Sequence, residues 1–185
     1  MGLSFVFRFT RIRFQLANAL KRVRFFCVFG KKGWLESDVT LNIQGRMMVG
    51  KNCKIGRGTK INVAKDAFFF LADNVFIGAN CQIEVSQSVE VERDVTVSDN
   101  VFLADVTHRF PCVGLSGERD LVNLSSITIA EGCWLGRNVV VNPGCSISSF
   151  NIIAANSVVT KCIVGSWGLH GGAPARLLKQ LEMKN

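Results

Sequence analysis

The chain has 185 residues, 48% of them hydrophobic, which supports one substantial core and is too short for two full domains. The formal net charge is +8, and residues 1–32 alone account for it with eight basic and no acidic side chains. The rest is balanced, which argues against a nucleic-acid-binding body. Seven cysteines without a C-x-x-C pair or zinc-type spacing argue against a disulfide framework and a metal site.

The first element in chain order is a basic amphipathic helix within residues 1–32. Its apolar residues recur at helical spacing, and a polar, mostly basic stripe runs beside them. The apolar set is Phe5, Phe9, Ile12, Leu16, Ala19, Leu20 and Val23, and the second stripe is Arg8, Arg11, Gln15, Asn18 and Arg22. Two interpretations are open, together or separately. The helix lies on an anionic membrane surface, or it caps the open end of the fold that follows.

The N-terminal composition also bears on the compartment. Arginines interrupt the apolar residues before the hydrophobic core of a signal peptide can form. Unpaired cysteines are typical of a reducing environment. We therefore predict a cytoplasmic protein, which would be peripheral on the inner face of the membrane if the helix binds lipid.

A six-residue period organises residues 33–164. Its clearest run of aliphatic residues is Ile129, Leu135, Val141, Ile147, Ile153 and Val159. Helices require apolar recurrence near 3.6 residues, and ordinary strands require longer runs bounded by turns, so neither fits. A period of six is typical of short strands joined by corners, with three hexads to a coil and a column of aliphatic side chains inside. The sequence predicts an all-β fold, the left-handed parallel β-helix.

The repeat breaks at ADVTHRF, residues 104–110, and resumes after residue 126. Pro111, Gly114 and Gly117 mark residues 109–126 as an excursion loop. His108, one of only two histidines, stands where this loop begins. An imidazole, with a pKa near 7, is well suited to deprotonating a hydroxyl nucleophile. His108 is therefore a candidate general base, and the alternative is a histidine that only caps the loop.

Two carboxylates are candidates to orient His108. Glu90 precedes it by eighteen residues, one full coil, so ideal stacking would place Glu90 beneath the histidine. Asp105 belongs to the same stretch as the histidine. Either would fix the imidazole tautomer and stabilise the imidazolium, and either is equally compatible with plain solvation. The choice stays open at this point.

Residues 165–185 leave the repeat. The segment 165–172 is rich in glycine, and residues 175–183 are typical of a short C-terminal helix. His170 lies on the glycine-rich loop, where we assign it no role.

One long stretch resembles the hexapeptide-repeat acyltransferases, in particular the galactoside, maltose and surface-polysaccharide acetyltransferases. It reads CWLGRNVVVNPGCSISSFNIIAANSVVTK, followed by GGAPARLLK, and the similarity extends over residues 42–179. The resemblance implies acetyl transfer from acetyl-CoA to a sugar hydroxyl. It further implies a homotrimer whose active sites lie between neighbouring β-helices, without a metal ion.

The resemblance also implies individual roles. The polysaccharide-modifying branch has D-H-x-H before its excursion, and this chain has Asp105, Val106, Thr107 and His108 there. The family's catalytic base is therefore kept, while Val106 replaces the first histidine and puts that residue's substrate-binding role in doubt. The implied acceptor contact is Asn80. The implied acetyl-CoA contacts are Trp134, Ala155, Thr160, Lys161 and Arg176, and Lys179 is a further cation that can meet the phosphates.

Together these patterns predict a sugar O-acetyltransferase of cell-surface polysaccharide biosynthesis with His108 as general base. Two alternatives remain at this stage. One is N-acetylation of an amino sugar, which the same fold supports. The other is a non-catalytic β-helix that acts as a binding scaffold, against which the retained histidine and donor signature argue.

Overall fold

A computed structural model describes residues 2–108 and 121–182 of the backbone, and side chains for residues 16–107 and 125–182. One helix, α1 (Gly2–Phe29), precedes a parallel β-solenoid of about six coils. Each coil is triangular because three short strands alternate with corners, and each strand pairs with its counterparts in the coils above and below. The predicted parallel β-helix of hexads and the N-terminal helix are confirmed.

The three faces are parallel sheets. In sheet order the first face contains β1 (Gly33–Leu35), β4 (Cys53–Ile55), β7 (Phe76–Ile77), β10 (Thr96–Val97), β15 (Trp134–Leu135), β18 (Ile152–Ile153), β20 (Gly168–Gly171) and the antiparallel β21 (Arg176–Gln180). The second contains β2 (Thr40–Ile43), β5 (Lys60–Val63), β8 (Gln82–Val85), β11 (Phe102–Ala104), β16 (Val140–Val141) and β19 (Val158–Val159). The third contains β3 (Arg46–Val49), β6 (Phe68–Leu71), β9 (Ser88–Val91), β14 (Ile127–Ile129) and β17 (Ser146–Ile147). A separate antiparallel ribbon pairs β12 (Val106–His108) with β13 (Leu121–Leu124).

The aliphatic residues of the six-residue period form the core. Each of the six from Ile129 to Val159 is almost completely buried. The ladder keeps them in register between coils, so that Val97 pairs with Leu135 and Leu135 with Ile153. Stacking like residues removes apolar surface from water continuously along the axis. This burial stabilises the fold by about 25 cal/mol for each Å² of apolar surface buried.

Asparagine and aspartate turn the chain at all three corners, and most regularly at two of them. Asn52, Asn74 and Asp94 occupy one corner in successive coils, each with φ near +60°. Their side chains bond up the column: the Asn52 amide donates to Asn74 at 3.2 Å, and the Asn74 amide donates to Asp94 at 2.9 Å. These residue types tolerate the left-handed conformation better than other non-glycine residues. The corner columns therefore fix the turns that the core requires.

Helix α1 closes the N-terminal end of the solenoid. Phe25 is completely buried, and its ring covers Gly33, where a Cβ atom would lie 2.5 Å from the ring. An ion pair of 2.7 Å joins Lys21 to Glu36. Phe29 packs with Phe25, their ring centroids 4.8 Å apart. These contacts cover the first coil, whose apolar interior would otherwise meet water.

The C-terminal end differs from the prediction. Residues 176–180 form β21, not a helix, and pair antiparallel with β20, Gly171 opposite Arg176 and Gly168 opposite Gln180. All five residues of β21 are exposed, so a helix there would bury no apolar stripe to offset its nucleation. The strand instead satisfies the open backbone edge of β20. His170 ends the inward column above Ile153, and desolvation by burial lowers the pKa of its imidazole.

The solenoid predicts which thiols react. Cys53, Cys81, Cys133 and Cys145 are buried, and desolvation by burial raises the pKa of each, that of Cys133 to about 11. Only the thiolate attacks a disulfide reagent, so these four should resist modification at pH 8. Cys27 and Cys162 are exposed. Cys112 lies outside the described residues.

We treat the C112S variant with dithiobis(nitrobenzoate), which releases one thionitrobenzoate for each thiol that reacts. The native protein should release two equivalents rapidly, from its two exposed thiols, and the denatured protein should release six, because the four buried thiols then react as well. The matched control, C27S/C112S/C162S, should release none rapidly. A fast third equivalent from the native C112S protein would contradict the burial of the cysteine column.

Candidate active site at the excursion and the last coils

His108 ends β12, the strand with which the chain leaves the fourth coil. Its backbone pairs with Leu121 of the returning strand β13, so a two-stranded ribbon forms the base of the excursion. The His108 side chain and residues 109–120 lie outside the described part. The predicted loop, residues 109–126, thus begins within this ribbon and ends where β14 resumes the third face at Ile127.

Asp105 fixes the corner from which the ribbon emerges. Its side chain is fully buried, and its two carboxylate oxygens accept hydrogen bonds from the backbone amides of Ser86 at 2.7 Å and Gln87 at 2.8 Å. Its carbonyl oxygen accepts a further bond of 2.9 Å from the Ser125 amide. Asp105 therefore bonds the point where the chain leaves the solenoid both to the coil below and to Ser125, where the chain returns.

Glu90 does not stand beneath His108, so the stacking prediction for this carboxylate is wrong. The register places Glu90 between Phe70 in the coil below and Thr128 in the coil above. The physical reason is the excursion, which shifts the next residue of this column from position 108 to position 128. Glu90 is exposed, and its carboxylate accepts a bond of 3.4 Å from Ser88 Oγ.

A cleft of about 420 Å³, here called the excursion cleft, adjoins the emerging ribbon. Val106 and Thr107, which lead directly to His108, line it on one side, and Thr160 of the last coil lines it on another. Its remaining lining residues are Phe102, Ala104, Ser125, Val141, Asn142 and Pro143. The fold thus brings the strand that carries the predicted base and one predicted donor residue to a single cleft.

A second cleft, of about 450 Å³ and here called the tryptophan cleft, lies on the first face. It brings together Trp134 and Ala155, two of the predicted donor contacts. The indole N–H of Trp134 donates to Ser98 Oγ at 3.0 Å, while 49% of the residue stays exposed. Because this bond fixes the ring and leaves it accessible, Trp134 offers a rigid apolar platform.

Sequence reasoning missed three residues of the tryptophan cleft: Ser98, Asp99 and Arg137. Asp99 accepts a bond of 2.6 Å from the Arg137 guanidinium and another of 2.8 Å from the Ala79 amide. The available signal was positional, because Asp99 and Arg137 each precede a corner asparagine in successive coils. The shared position could not be recognised in the sequence, because the excursion interrupts the six-residue register between Asp99 and Arg137.

The other predicted donor residues lie around the last coil. Lys161 is exposed beyond β19, and Arg176 and Lys179 are exposed on β21. The turn that leads into β21 is held against β19: the Ala175 amide donates to Val158 at 2.8 Å, and the Val158 amide donates to Gly172 at 3.0 Å. Gly172 and Ala175, which belong to the segment GGAPAR, are thus bonded to Val158, two residues before Thr160.

Asn80, the predicted acceptor contact, is a corner residue with φ of 54°. Its side-chain oxygen covers Gly58 of the coil below, where a Cβ atom would collide with it. It lines neither cleft. Among the residues whose side chains are described, no cluster of His, Cys, Asp or Glu has the geometry of a metal site.

The chain is similar to known acyltransferases. The family described as the hexapeptide repeat of succinyl-transferase matches residues 73–104. The chain is 29% identical over 165 residues to WbbJ of Escherichia coli strain K12, named as a lipopolysaccharide biosynthesis O-acetyl transferase, which covers 85% of this chain and 78% of that protein. It is also 29% identical over 125 residues to the galactoside O-acetyltransferase of the same strain, which covers 65% of this chain and 61% of that protein.

Two crystal structures share the fold. AntD, an N-acyltransferase from Bacillus cereus in complex with dTDP and 3-hydroxybutyryl-CoA, superposes with a TM-score of 0.72 at 15% identity, over 83% of this chain and 84% of that chain. A maltose O-acetyltransferase from Clostridium difficile 630 superposes with a TM-score of 0.51 at 20% identity, over 80% of this chain and 71% of that chain.

The Asp105 contacts predict a stability effect. Asp105→Ala leaves the backbone amides of Ser86 and Gln87 without their charged acceptor, and the loss of these two bonds should lower the free energy of unfolding by roughly 3 kcal/mol. Asp105→Asn keeps one acceptor oxygen and should cost less. Glu90→Ala is the matched control, because this exposed carboxylate should leave stability unchanged. Denaturant unfolding measures all three, and an Asp105→Ala protein as stable as the parent would contradict the structural role.

Proposed function

We propose that this chain, which belongs to the hexapeptide-repeat β-helix acyltransferases, moves an acetyl group from acetyl-CoA to a sugar hydroxyl in surface-polysaccharide biosynthesis. The observation that carries the proposal is the excursion cleft, where the strand that ends in His108 and the donor residue Thr160 line one space. The likeness to WbbJ, named for lipopolysaccharide biosynthesis, supports the choice of acceptor class. The reaction takes place in the cytoplasm under this proposal.

In the proposed reaction His108 removes the proton from the acceptor hydroxyl as its oxygen attacks the thioester carbonyl of acetyl-CoA. The new carbon–oxygen bond forms a tetrahedral intermediate, and the carbon–sulfur bond then breaks. The CoA thiolate leaves and takes the proton from the imidazolium. A base with a pKa near 7 serves both transfers, because it is a competent acceptor of the first proton and donor of the second.

The donor is proposed to lie across the last coils. Trp134 and Ala155 would contact the pantetheine arm from the tryptophan cleft, and Thr160 would mark its continuation toward the reacting thioester. Lys161, Arg176 and Lys179 are exposed cations and would meet the phosphates of CoA. Among the described residues no hydrogen bond uses the Ala155 amide, so it is available to a carbonyl of the arm.

Asp105 is proposed as a positioning residue. Its carboxylate is engaged by two backbone amides, so it acts on His108 by fixing the direction in which β12 leaves the coil. The proposed homotrimer would complete the site, because both clefts are open to the outside and a neighbouring β-helix would wall them. Cyclic symmetry then gives every His108 an equivalent partner surface.

The acceptor is identified by incubating the protein with labelled acetyl-CoA and a panel of saccharides, each tested with a hydroxyl or an amine at the same ring position. Transfer to the hydroxyl members supports the proposal. Exclusive transfer to the amines would instead assign N-acetylation, and transfer to none, with CoA bound, would leave a binding scaffold.

His108→Ala should lower turnover by about two to four orders of magnitude, the usual contribution of a positioned base. The KM for acetyl-CoA and the unfolding midpoint should stay unchanged, because the substitution removes a group needed only for proton transfer. His170→Gln is the matched control, since it removes the other histidine. Near-normal turnover in the His108→Ala protein would refute the base assignment.

Arg176→Ala should raise the KM for acetyl-CoA about tenfold and change kcat little, because a phosphate contact is the same in the ground and transition states. Arg57→Ala, which removes an exposed arginine from an earlier coil, should alter neither constant. Initial rates across acetyl-CoA concentrations measure both. If kcat alone fell, Arg176 would belong to the chemical step and not to donor binding.

A further inference from the structure

The side of α1 opposite the solenoid is apolar between Leu16 and Val23, and none of the described residues covers it. A helical period of 3.6 residues places Leu16, Leu20 and Val23 on the side of α1 opposite Phe25, which is buried against the first coil. These three residues are 61%, 58% and 57% exposed. In the sequence the same spacing continues toward the N-terminus, and contiguous apolar surface of this kind marks an interaction site. We call Leu16, Ala19, Leu20 and Val23 the outer face of α1.

A cleft of about 570 Å³ adjoins the outer face, between α1 and the first coil. Val23 and Phe26 line its apolar side, and Arg22 and Lys32 supply positive charge. The Arg22 guanidinium lies 4.3 Å from the ring centroid of Trp34, which also lines the cleft. Phe26 is 61% exposed. The cleft therefore combines an aromatic, apolar wall with two cations.

The charge around the outer face is entirely positive. Residues 1–32 contain eight basic and no acidic residues. Lys21 pairs with Glu36, whereas Arg24, Lys31 and Lys32 are exposed at the helix and just beyond it. A second copy of α1 would bring the same charges together, so like-charge repulsion opposes a helix-to-helix pair. An anionic surface complements both the apolar stripe and its basic borders.

We infer that the outer face of α1, with the adjoining cleft, docks on the surface of a lipid bilayer that contains anionic phospholipid. The leucines and Val23 enter the boundary between headgroups and acyl chains, and the basic residues meet the lipid phosphates. Within the described residues no helix is long and apolar enough to cross a bilayer. In the inferred mode α1 lies in the plane of the surface, because Phe25 stays packed on the first coil while Leu16 and Leu20 on the opposite side meet the lipid. Capping and docking use opposite sides of one helix and are compatible. The inference does not depend on acetyl transfer.

Flotation of the full-length protein with vesicles tests the inference. Vesicles of phosphatidylcholine with 30% phosphatidylglycerol, about one anionic lipid in three, should bind the protein in 0.1 M salt, and pure phosphatidylcholine vesicles should bind it at least tenfold less. Binding should fall as salt rises to 1 M, because the screening length shortens from about 10 Å to about 3 Å. Equal binding to neutral and anionic vesicles, or none to either, would overturn the inference.

Variants locate the surface. L16S/L20S should bind anionic vesicles at least about tenfold more weakly, because two apolar side chains no longer enter the lipid. M48S/V164S is the matched control, since it removes two exposed apolar residues from the solenoid and should bind as the parent does. K31Q/K32Q should weaken binding about 10- to 30-fold, whereas K60Q/K65Q, on the second face and its corner, should not.

Both sites of the double substitution L16S/L20S are exposed, so the variant should keep the parent's unfolding midpoint. Analytical ultracentrifugation without vesicles distinguishes the rival occupant. If L16S/L20S lowered the oligomeric mass, the outer face would be covered by another copy, and the inference would be overturned. It would likewise fail if L16S/L20S bound anionic vesicles as tightly as the parent.

Discussion

Vertical stacking of like residues in successive coils is the constraint on which the whole molecule depends. A coil alone cannot bury its inward aliphatic side chains, since each of them packs against its counterparts in the coils above and below. The register that satisfies this requirement also aligns the backbone ladder and the asparagine corners, so one spacing serves three kinds of interaction. The ends must then be closed separately. α1 covers the first coil through Phe25, and β21 satisfies the last edge.

The candidate site arises where that constraint is relaxed. His108 lies at a break in the repeat, and the predicted donor residues lie on or beside the coils that follow it. A side chain that points into the regular column packs in the core and is not accessible to a substrate. The buried cysteines, whose thiol pKa values are raised, are an example. The proposed chemistry therefore depends on outward positions and on the excursion. Asp105 links the regular coils to the excursion, because it is fully buried and its hydrogen bonds fix the start of the irregular segment.

The sequence alone predicts what repeats. Six consecutive hexads specify the inward residues of the last coils, and the helical spacing before residue 32 specifies α1. The wrong and missing predictions concern positions that depend on a non-periodic feature or on the stacking of separate coils. The position above Glu90 depends on where the excursion returns, and the hexad count cannot reveal that Thr128 takes the place of residue 108. The segment 176–180 has a composition compatible with a helix, and only the free edge of β20 selects a strand. Ser98, Asp99 and Arg137 become neighbours only once the coils are stacked.

The excursion leaves and rejoins the solenoid at almost the same point, where the Asp105 carbonyl oxygen and the Ser125 amide nitrogen are 2.9 Å apart. The solenoid therefore holds the two ends of the excursion together, and the entropic cost of closing a longer loop grows only with the logarithm of its length. The body can accept loops of different size and sequence between these two anchor residues without re-registering its coils. This corner is consequently a natural grafting point: under the proposed function, acceptor preference would change with the loop while the proposed donor residues on the last coils stay in place.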